Sequence, residues 1–223
     1  MKAEHTSVML DRCITLLAPA IEKSSSPVVV DATLGLGGHS YALLEKFPQL
    51  RIVGLDRDHS AISKAQGRLN TFHNRVTIIH AIYDEMPSVL DKLGLTFVDG
   101  ILFDLGVSSL QLDQSERGFS YSHSAPLDMR MDQSQGMTAH DVLDSYTRND
   151  LVRVIREYGE ERFATRIVDN IIEARSAGAR TTKIKQIKES FASKPTASTR
   201  PSKPILNEGD DMANRLRKLA GLK

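Results

Sequence analysis

The feature that most constrains this chain is a β-branched run that ends in an acid and opens at once into glycines. Val28-Val29-Val30-Asp31 is followed by Gly35-Leu36-Gly37-Gly38, and Ser40 to Phe47 then reads as a helix. A strand, a glycine turn and a helix together make a nucleotide or anion site. Glycines let backbone approach a ligand, and the helix start supplies N–H groups that have no partner within the helix. A second acid strengthens the pattern. Arg51-Ile-Val-Gly-Leu-Asp56 reads as the next strand, and Asp56 lies 21 residues after Gly35. An acid at that place accepts hydrogen bonds from ribose hydroxyls; its other reading is a helix cap.

The surrounding pattern sets the fold class. Val8 to about Ala20 reads as a helix, with Thr6 or Ser7 able to cap it. Ser60 to Leu69 is a further helix, Val76 to Tyr83 a third strand and Val98 to Leu105 a fourth. Strands alternating with helices predict right-handed βαβ units and a parallel α/β sheet. After Leu105 the strand pattern stops. Thr138–Tyr146, Asn149–Tyr158 and Glu160 to about Arg175 read as helices, so an all-helical appendage is expected. Ser190 to Pro204 is rich in Ser, Thr, Pro and Lys and is expected to be disordered, before an amphipathic piece at Asp210–Leu222. The expected division is 1–107, 108–189 and 190–223.

Charge is uneven along this chain. Residues 1–174 carry 17 basic and 24 acidic side chains, and residues 175–223 carry 12 and 4, so −7 faces +8. A basic end on an acidic body fits contact with a polyanion, or a solvated tail. The single cysteine, Cys13, reads as a small apolar residue of the first helix, and no Cys/His cluster has zinc-ligand spacing. No metal is expected. No apolar run has the length of a membrane span, and Met1 to Asp11 lacks the pattern of a signal peptide, so a cytoplasmic protein is expected.

Which nucleotide the turn would hold can be narrowed. A dinucleotide fingerprint beginning at Gly35 needs Gly or Ala at position 40, where this chain has Ser40. No phosphate-binding G-x-x-x-x-G-K-[ST] run is present. Asp31, at the end of the first strand, suits a ligand with a cationic amino group better than a pyrophosphate. S-adenosylmethionine (SAM) therefore ranks above a nicotinamide dinucleotide. Asp104 ends the fourth strand, at the switch point where open α/β sheets bind ligands. If the methyl acceptor is an aromatic amine, a carboxylate accepting its N–H bonds favours the charge that develops on nitrogen. Asp104 is the candidate for that role or for holding the cofactor, against the reading of a strand-end cap. Arg117, Phe119 and Arg130 place basic and aromatic residues together, as RNA readers do, although Phe119 and Met129 could equally pack the helical part.

Several longer stretches carry a resemblance. They are His5-Thr-Ser-Val-Met-Leu10, Asp31-Ala-Thr-Leu-Gly-Leu-Gly-Gly-His-Ser40, Leu55-Asp-Arg-Asp58, Asp99-Gly-Ile-Leu-Phe-Asp-Leu-Gly-Val-Ser-Ser109, Gln111-Leu-Asp113, Glu116-Arg-Gly-Phe-Ser120, Pro126-Leu-Asp-Met-Arg-Met-Asp132, Tyr158-Gly-Glu-Glu-Arg-Phe163 and Thr181-Thr-Lys183. In this order they resemble the bacterial RsmH (MraW) family across residues 5–183. The resemblance implies a Rossmann-like SAM-binding domain with a helical domain inserted after strand four. It implies methyl transfer to N4 of a cytidine in the decoding region of 16S rRNA, in the small ribosomal subunit. It places cofactor contacts on Gly37, Gly38, His39, Asp56, Tyr83, Asp104 and Gln111. Tyr83 stands where relatives often carry Phe, and its ring could stack on adenine. Without the resemblance, Gln111 reads as an exposed loop residue and His39 as a polar residue at a helix start.

The match fades after Lys183, where relatives continue into further strands and a Ser-Phe-His-Ser-Leu-Glu-Asp-Arg motif. The later strands of the sheet are expected to be missing, with strand four left as an edge unless the tail or a second subunit, in a homodimer, covers it. The second functional reading is a family member that binds SAM or rRNA without turnover. A nicotinamide oxidoreductase is disfavoured by Ser40. A DNA cytosine methyltransferase would show Asp/Asn/Ser-Pro-Pro-aromatic where this chain has Asp104-Leu-Gly-Val.

Overall fold

A computed structural model describes residues 7–176 except 121 and 123. The expectations for residues 190–223, and the motif residues before Ser7 and after Ser176, lie outside the described residues. The described chain divides into two compact units after Gly106.

The first unit opens with helix α1 (Leu10–Lys23) and strand β1 (Val28–Asp31). It continues through α2 (Gly38–Lys46), β2 (Arg51–Asp56), α3 (His59–Leu69), β3 (Val76–His80), α4 (Met86–Lys92) and β4 (Gly100–Leu102). The strands lie in the order β3-β2-β1-β4, all parallel. This is a Rossmann-like arrangement. Register pairs Val30 with Val53 and Ile101, and Asp56 with His80.

The order explains the layers. Right-handed crossovers place α2 and α3 on one face while the chain steps from β1 to β3. The return to β4 reverses direction and puts α4 on the other. Two cores follow. Val29 and Ile52 pack with Ile14, Leu43, Leu44, Ala65 and Leu69 from α1, α2 and α3. Val28, Val30, Val53 and Leu55 pack with Met86, Val89 and Leu90 of α4. Inner strands covered on both sides need continuous apolar runs, which β1 and β2 supply. Val29 and Val30 are fully buried, each stabilising by roughly 1.5–3 kcal/mol relative to exposure.

Local chemistry sets the element ends. The Asp58 carboxylate accepts the Ser60 N–H at 2.9 Å and caps α3. The Arg75 guanidinium donates to the carbonyls of Leu44, Phe47 and Leu50, closing the end of α2. Two predicted strands are shorter than expected. β3 stops at His80 because the Ile82 N–H is taken by the Glu85 carboxylate at 2.9 Å, which starts a turn. β4 stops at Leu102. Helix α4 was not expected; it is one short stretch with Pro87 in its first turn.

The second unit contains α5 (Ser109–Asp113), α6 (Ala139–Ser145), α7 (Arg148–Glu157) and α8 (Ala164–Ser176). Helices α7 and α8 pack together through buried Leu151, Ala164 and Val168, with an Arg148–Asp169 ion pair at 2.7 Å. Thr138 and Thr147 cap α6 and α7. Among the described residues no helix is long and apolar enough to cross a membrane.

Candidate functional site

Two acids, Asp31 and Asp56, end adjacent strands of the first unit, a third, Asp104, lies two residues past β4, and each is tied to the turn after β1. The glycine turn comes first. Gly37 has φ 72° and forms the N-terminal cap of α2, a left-handed conformation that L side chains rarely adopt. No side chain caps α2, and its first turn carries no acid. Among the described residues no side chain satisfies its leading N–H groups.

Asp56, at the end of β2, accepts the Gly35 N–H on one oxygen at 2.7 Å and the Asp58 N–H on the other at 2.8 Å. It is not the cap of α3, since Asp58 has that role. The two amides fix its orientation and leave lone pairs for further donors. Burial raises its pKa from the ordinary value, and the two amide hydrogen bonds oppose that shift.

Asp31, at the end of β1, is only 1% exposed. Ser40 Oγ donates to it at 2.6 Å, and the Thr33 N–H approaches its other oxygen at 3.4 Å. Burial raises its pKa, with the Ser40 hydrogen bond acting in the opposite direction. Its two oxygens thus face Ser40 and the turn.

Asp104 follows β4 and is exposed. Its backbone N–H donates to Thr33 Oγ1 at 2.7 Å. The reading of Asp104 as a side-chain cap finds no support, because Ser108 caps α5. Phe103 and Tyr83, 39% and 47% exposed, meet edge to face with centroids 5.9 Å apart. β3 and β4 are opposite edges of the sheet, so the chain after β3 must turn back over the carboxyl ends for these rings to meet. The outcome is two exposed aromatic faces at the end of the sheet where the three acids lie.

The remaining expected residues sit differently. His39 is buried and its Nε2–H donates to the Val8 carbonyl at 2.9 Å, anchoring the segment before α1. A hypothetical Cβ on Gly38 would collide with the Ser7 hydroxyl, so that segment also lies close over the start of α2. Gln111 belongs to the second unit. It is buried, not an exposed loop residue: its side-chain oxygen accepts the Ser108 N–H at 2.9 Å in a capping box with Ser108.

Arg117 does not present a charge for a phosphate. It is 3% exposed, and its guanidinium donates to the carbonyls of Arg130 and Met131 at 3.0 and 2.7 Å. Arg130 forms a two-pronged ion pair with Asp128, both contacts at 2.8 Å, and reaches the Gly136 carbonyl. Phe119 is half-buried, and Met129 is 47% exposed rather than packed away. Sequence reasoning passed over Thr33, Ser40 and Phe103. The last could have been found, as an aromatic beside the strand-end acid.

Comparison with known proteins identifies the family. Residues 2–205 match the model of the MraW methylase family. The chain is 54% identical over 200 residues to the ribosomal RNA small subunit methyltransferase H of Parafrankia sp. (strain EAN1pec), covering 90% of this chain and 61% of that protein. It is 55% identical over 175 residues to the protein of that name from Pseudarthrobacter chlorophenolicus, covering 77% and 53%. With that from Salinispora arenicola identity is 56% over 175 residues, covering 78% and 47%. The chain thus spans about half to three fifths of the length of these curated relatives. Nearly the whole of it matches one family model, and the matched stretch contains the glycine turn and Asp31, Asp56 and Asp104: the chain belongs to the MraW methylase family.

Proposed function

We propose that this chain binds S-adenosylmethionine at the carboxyl end of its sheet and methylates N4 of a cytidine in the decoding region of 16S rRNA. The observation that carries the reading is the convergence of Asp31, Asp56 and Asp104 on one glycine turn at the β1–β4 switch point. The relatives' names, ribosomal RNA small subunit methyltransferase H, support the rRNA substrate and small-subunit context. The cytidine N4 position rests on the resemblance to the RsmH family across residues 5–183.

The residues present fit the cofactor. Asp56 offers a half-exposed, pre-oriented carboxylate to a ribose diol. The exposed Tyr83 and Phe103 rings offer an apolar surface to a purine. The uncapped start of α2, at Gly37, Gly38 and His39, offers N–H groups to a carboxylate, and buried Asp31 biases the same region toward an ammonium. Gln111, in the second unit, is carried as a contact on the resemblance alone. When bound, SAM supplies an electrophilic methyl group for in-line displacement. Asp104 then holds the acceptor amine: its carboxylate accepts an N–H and stabilises positive charge developing on nitrogen. The target base has to leave its stack to reach it.

The test uses methyl-labelled SAM and small ribosomal subunits from cells lacking this modification, with Asp104→Asn as control. Label in one cytidine, lost in the variant, supports the reading. SAM binding measured by calorimetry without any label in the RNA would replace it with a binding protein that does not turn over.

A further inference from the structure

We infer that Thr33 is a positioning residue for Asp104. This rests on the methyltransferase reading for its functional consequence, though not for its geometry.

Asp104 needs a fixed backbone if its carboxylate is to hold an acceptor amine in line with a methyl donor. Nothing regular supplies that. β4 ends at Leu102, two residues earlier, and α5 begins only at Ser109. Gly106, with φ 140°, sits in the intervening stretch and restrains it little. The Asp104 N–H is instead held at 2.7 Å by the hydroxyl of Thr33, on the turn that leaves the neighbouring strand. A hydroxyl oxygen that accepts a backbone amide does what the next rung of a ladder would do, but across to the glycine turn.

Thr33 is itself placed. Its N–H approaches Asp31, and Asp31 is locked by Ser40 Oγ at the start of α2. The run Ser40–Asp31–Thr33–Asp104 therefore links the helix that receives the cofactor to the acid that receives the acceptor. Asp56 secures the same turn from the other side through Gly35. A shift of the turn on cofactor binding is passed to Asp104 through one side chain. Thr33 touches no reacting atom in this account, and its contribution is alignment.

Val removes the accepting oxygen and keeps the shape; Ser keeps the oxygen. Hydrogen exchange at the Asp104 amide in the full chain is the direct reading. We expect Thr33→Val to speed exchange at least about tenfold, with Thr33→Ser close to the parent and melting temperatures alike. In methyl transfer, Thr33→Val is expected to lower kcat by about ten- to a hundredfold, as misalignment near 1 Å does, with KM little changed. Thr33→Ser restores it. Unchanged Asp104 exchange in Thr33→Val overturns the inference, as does a Ser variant that fails like Val. A parent chain that transfers no methyl group sinks the functional reading, while the exchange experiment still decides whether Thr33 holds Asp104.

Discussion

Different chemistry orders the sheet unit and the 107–138 stretch of the second unit, each within itself. In the first, order follows from apolar burial: β1 is buried along its whole length, and two apolar clusters flank the sheet. In the second, between Val107 and Thr138, the buried side chains among the described residues are Leu110, Gln111, Arg117 and Asp132. Three of those four are polar, and each bonds to nearby backbone or side chains. Arg117 grips two carbonyls, Gln111 closes a capping box, and Asp132 accepts from Ser134 and Gln135. Apolar atoms lost from a packed sheet leave a cavity that the surroundings fill only in part. A loop knotted by hydrogen bonds loses a partner and leaves another group stranded without water.

The comparison predicts a difference in the size and kind of damage. Leu43, fully buried on α2, contributes to the larger apolar cluster. Leu43→Ala is expected to cost about 3–5 kcal/mol in urea unfolding, as deep Leu-to-Ala changes do. In the second unit no apolar change between Val107 and Thr138 should approach this. Leu112→Ala, at a 44% exposed position, is expected to cost less than about 0.5 kcal/mol. Equal losses at Leu43 and Leu112 would break the contrast.

Polar deletions should then do the harm in the second unit. Arg117→Met keeps much of the volume but strands the carbonyls of Arg130 and Met131, an expected loss of about 1–3 kcal/mol. Gly118→Ala tests the same knot from the backbone side. Gly118 has φ 73°, and a Cβ there would collide with the Pro126 carbonyl oxygen and lie 3.0 Å from the Asp128 N. Neither neighbour is a flexible side-chain end, so a loss of at least about 1–2 kcal/mol is expected from the left-handed conformation alone. Limited proteolysis within 114–138 should accelerate in both variants, with the sheet unit unaffected. A knot that tolerates both would mean that α7 and α8 hold this region by themselves.

What could be read in advance divides along the same line. β1 and β2 were legible to the residue because continuous apolar runs bounded by an acid have few other uses. Asp56 was legible as a strand-end acid for the same reason, whereas Asp104, expected to end the fourth strand, lies two residues beyond it. Side-chain-to-backbone bonds have no period, so they were not. β4 looked longer because Phe103 and Leu105 are apolar, yet the chain leaves the sheet there and the Asp104 amide turns to a threonine. Thr33 carried no signal of its own, and Ser40 was read only as a departure from a dinucleotide fingerprint, not as the partner of Asp31. Gln111 did: Ser108-Ser-Leu-Gln111 at a helix start is a capping box, and reading it would have placed the side chain inward. Arg117 and Arg130 were placed toward RNA because composition cannot distinguish an arginine that binds phosphate from one that binds carbonyls.

Acid titration sharpens the contrast, because the two units carry carboxylates shifted in opposite directions. Burial raises the pKa of Asp31 in the sheet unit. Below its unfolded value of about 4 both states hold the proton; above it the unfolded chain ionises first. Asp31 therefore costs stability as pH rises from about 4 through its folded value. Asp31→Asn, which cannot ionise, should lose that part of the pH dependence. The measurement is urea midpoints from pH 4 to pH 7, with the gap between parent and variant shifting in favour of the variant as pH rises. A gap that stays constant would mean that Asp31 titrates normally and that the Ser40 hydrogen bond offsets burial.

The smallest expected effect has the opposite sign. Arg130 holds the Asp128 carboxyl down at about 2 through its side-chain hydrogen bond. The stabilisation is fully present above the unfolded value of about 4 and is lost as pH falls toward 2. Water near the pair screens it, so its contribution is expected to be the smallest of those considered. Asp128→Asn should therefore melt slightly below the parent at pH 6 and converge with it near pH 2. Adding salt should narrow the gap at pH 6, because an ion pair is screened. The Asp128 carboxylate also accepts the Arg130 N–H, which Asn can still do through its side-chain oxygen. A gap insensitive to salt and pH would assign the Asp128 contribution to the neutral knot instead, and the second unit would then be held by hydrogen-bond geometry with little help from charge.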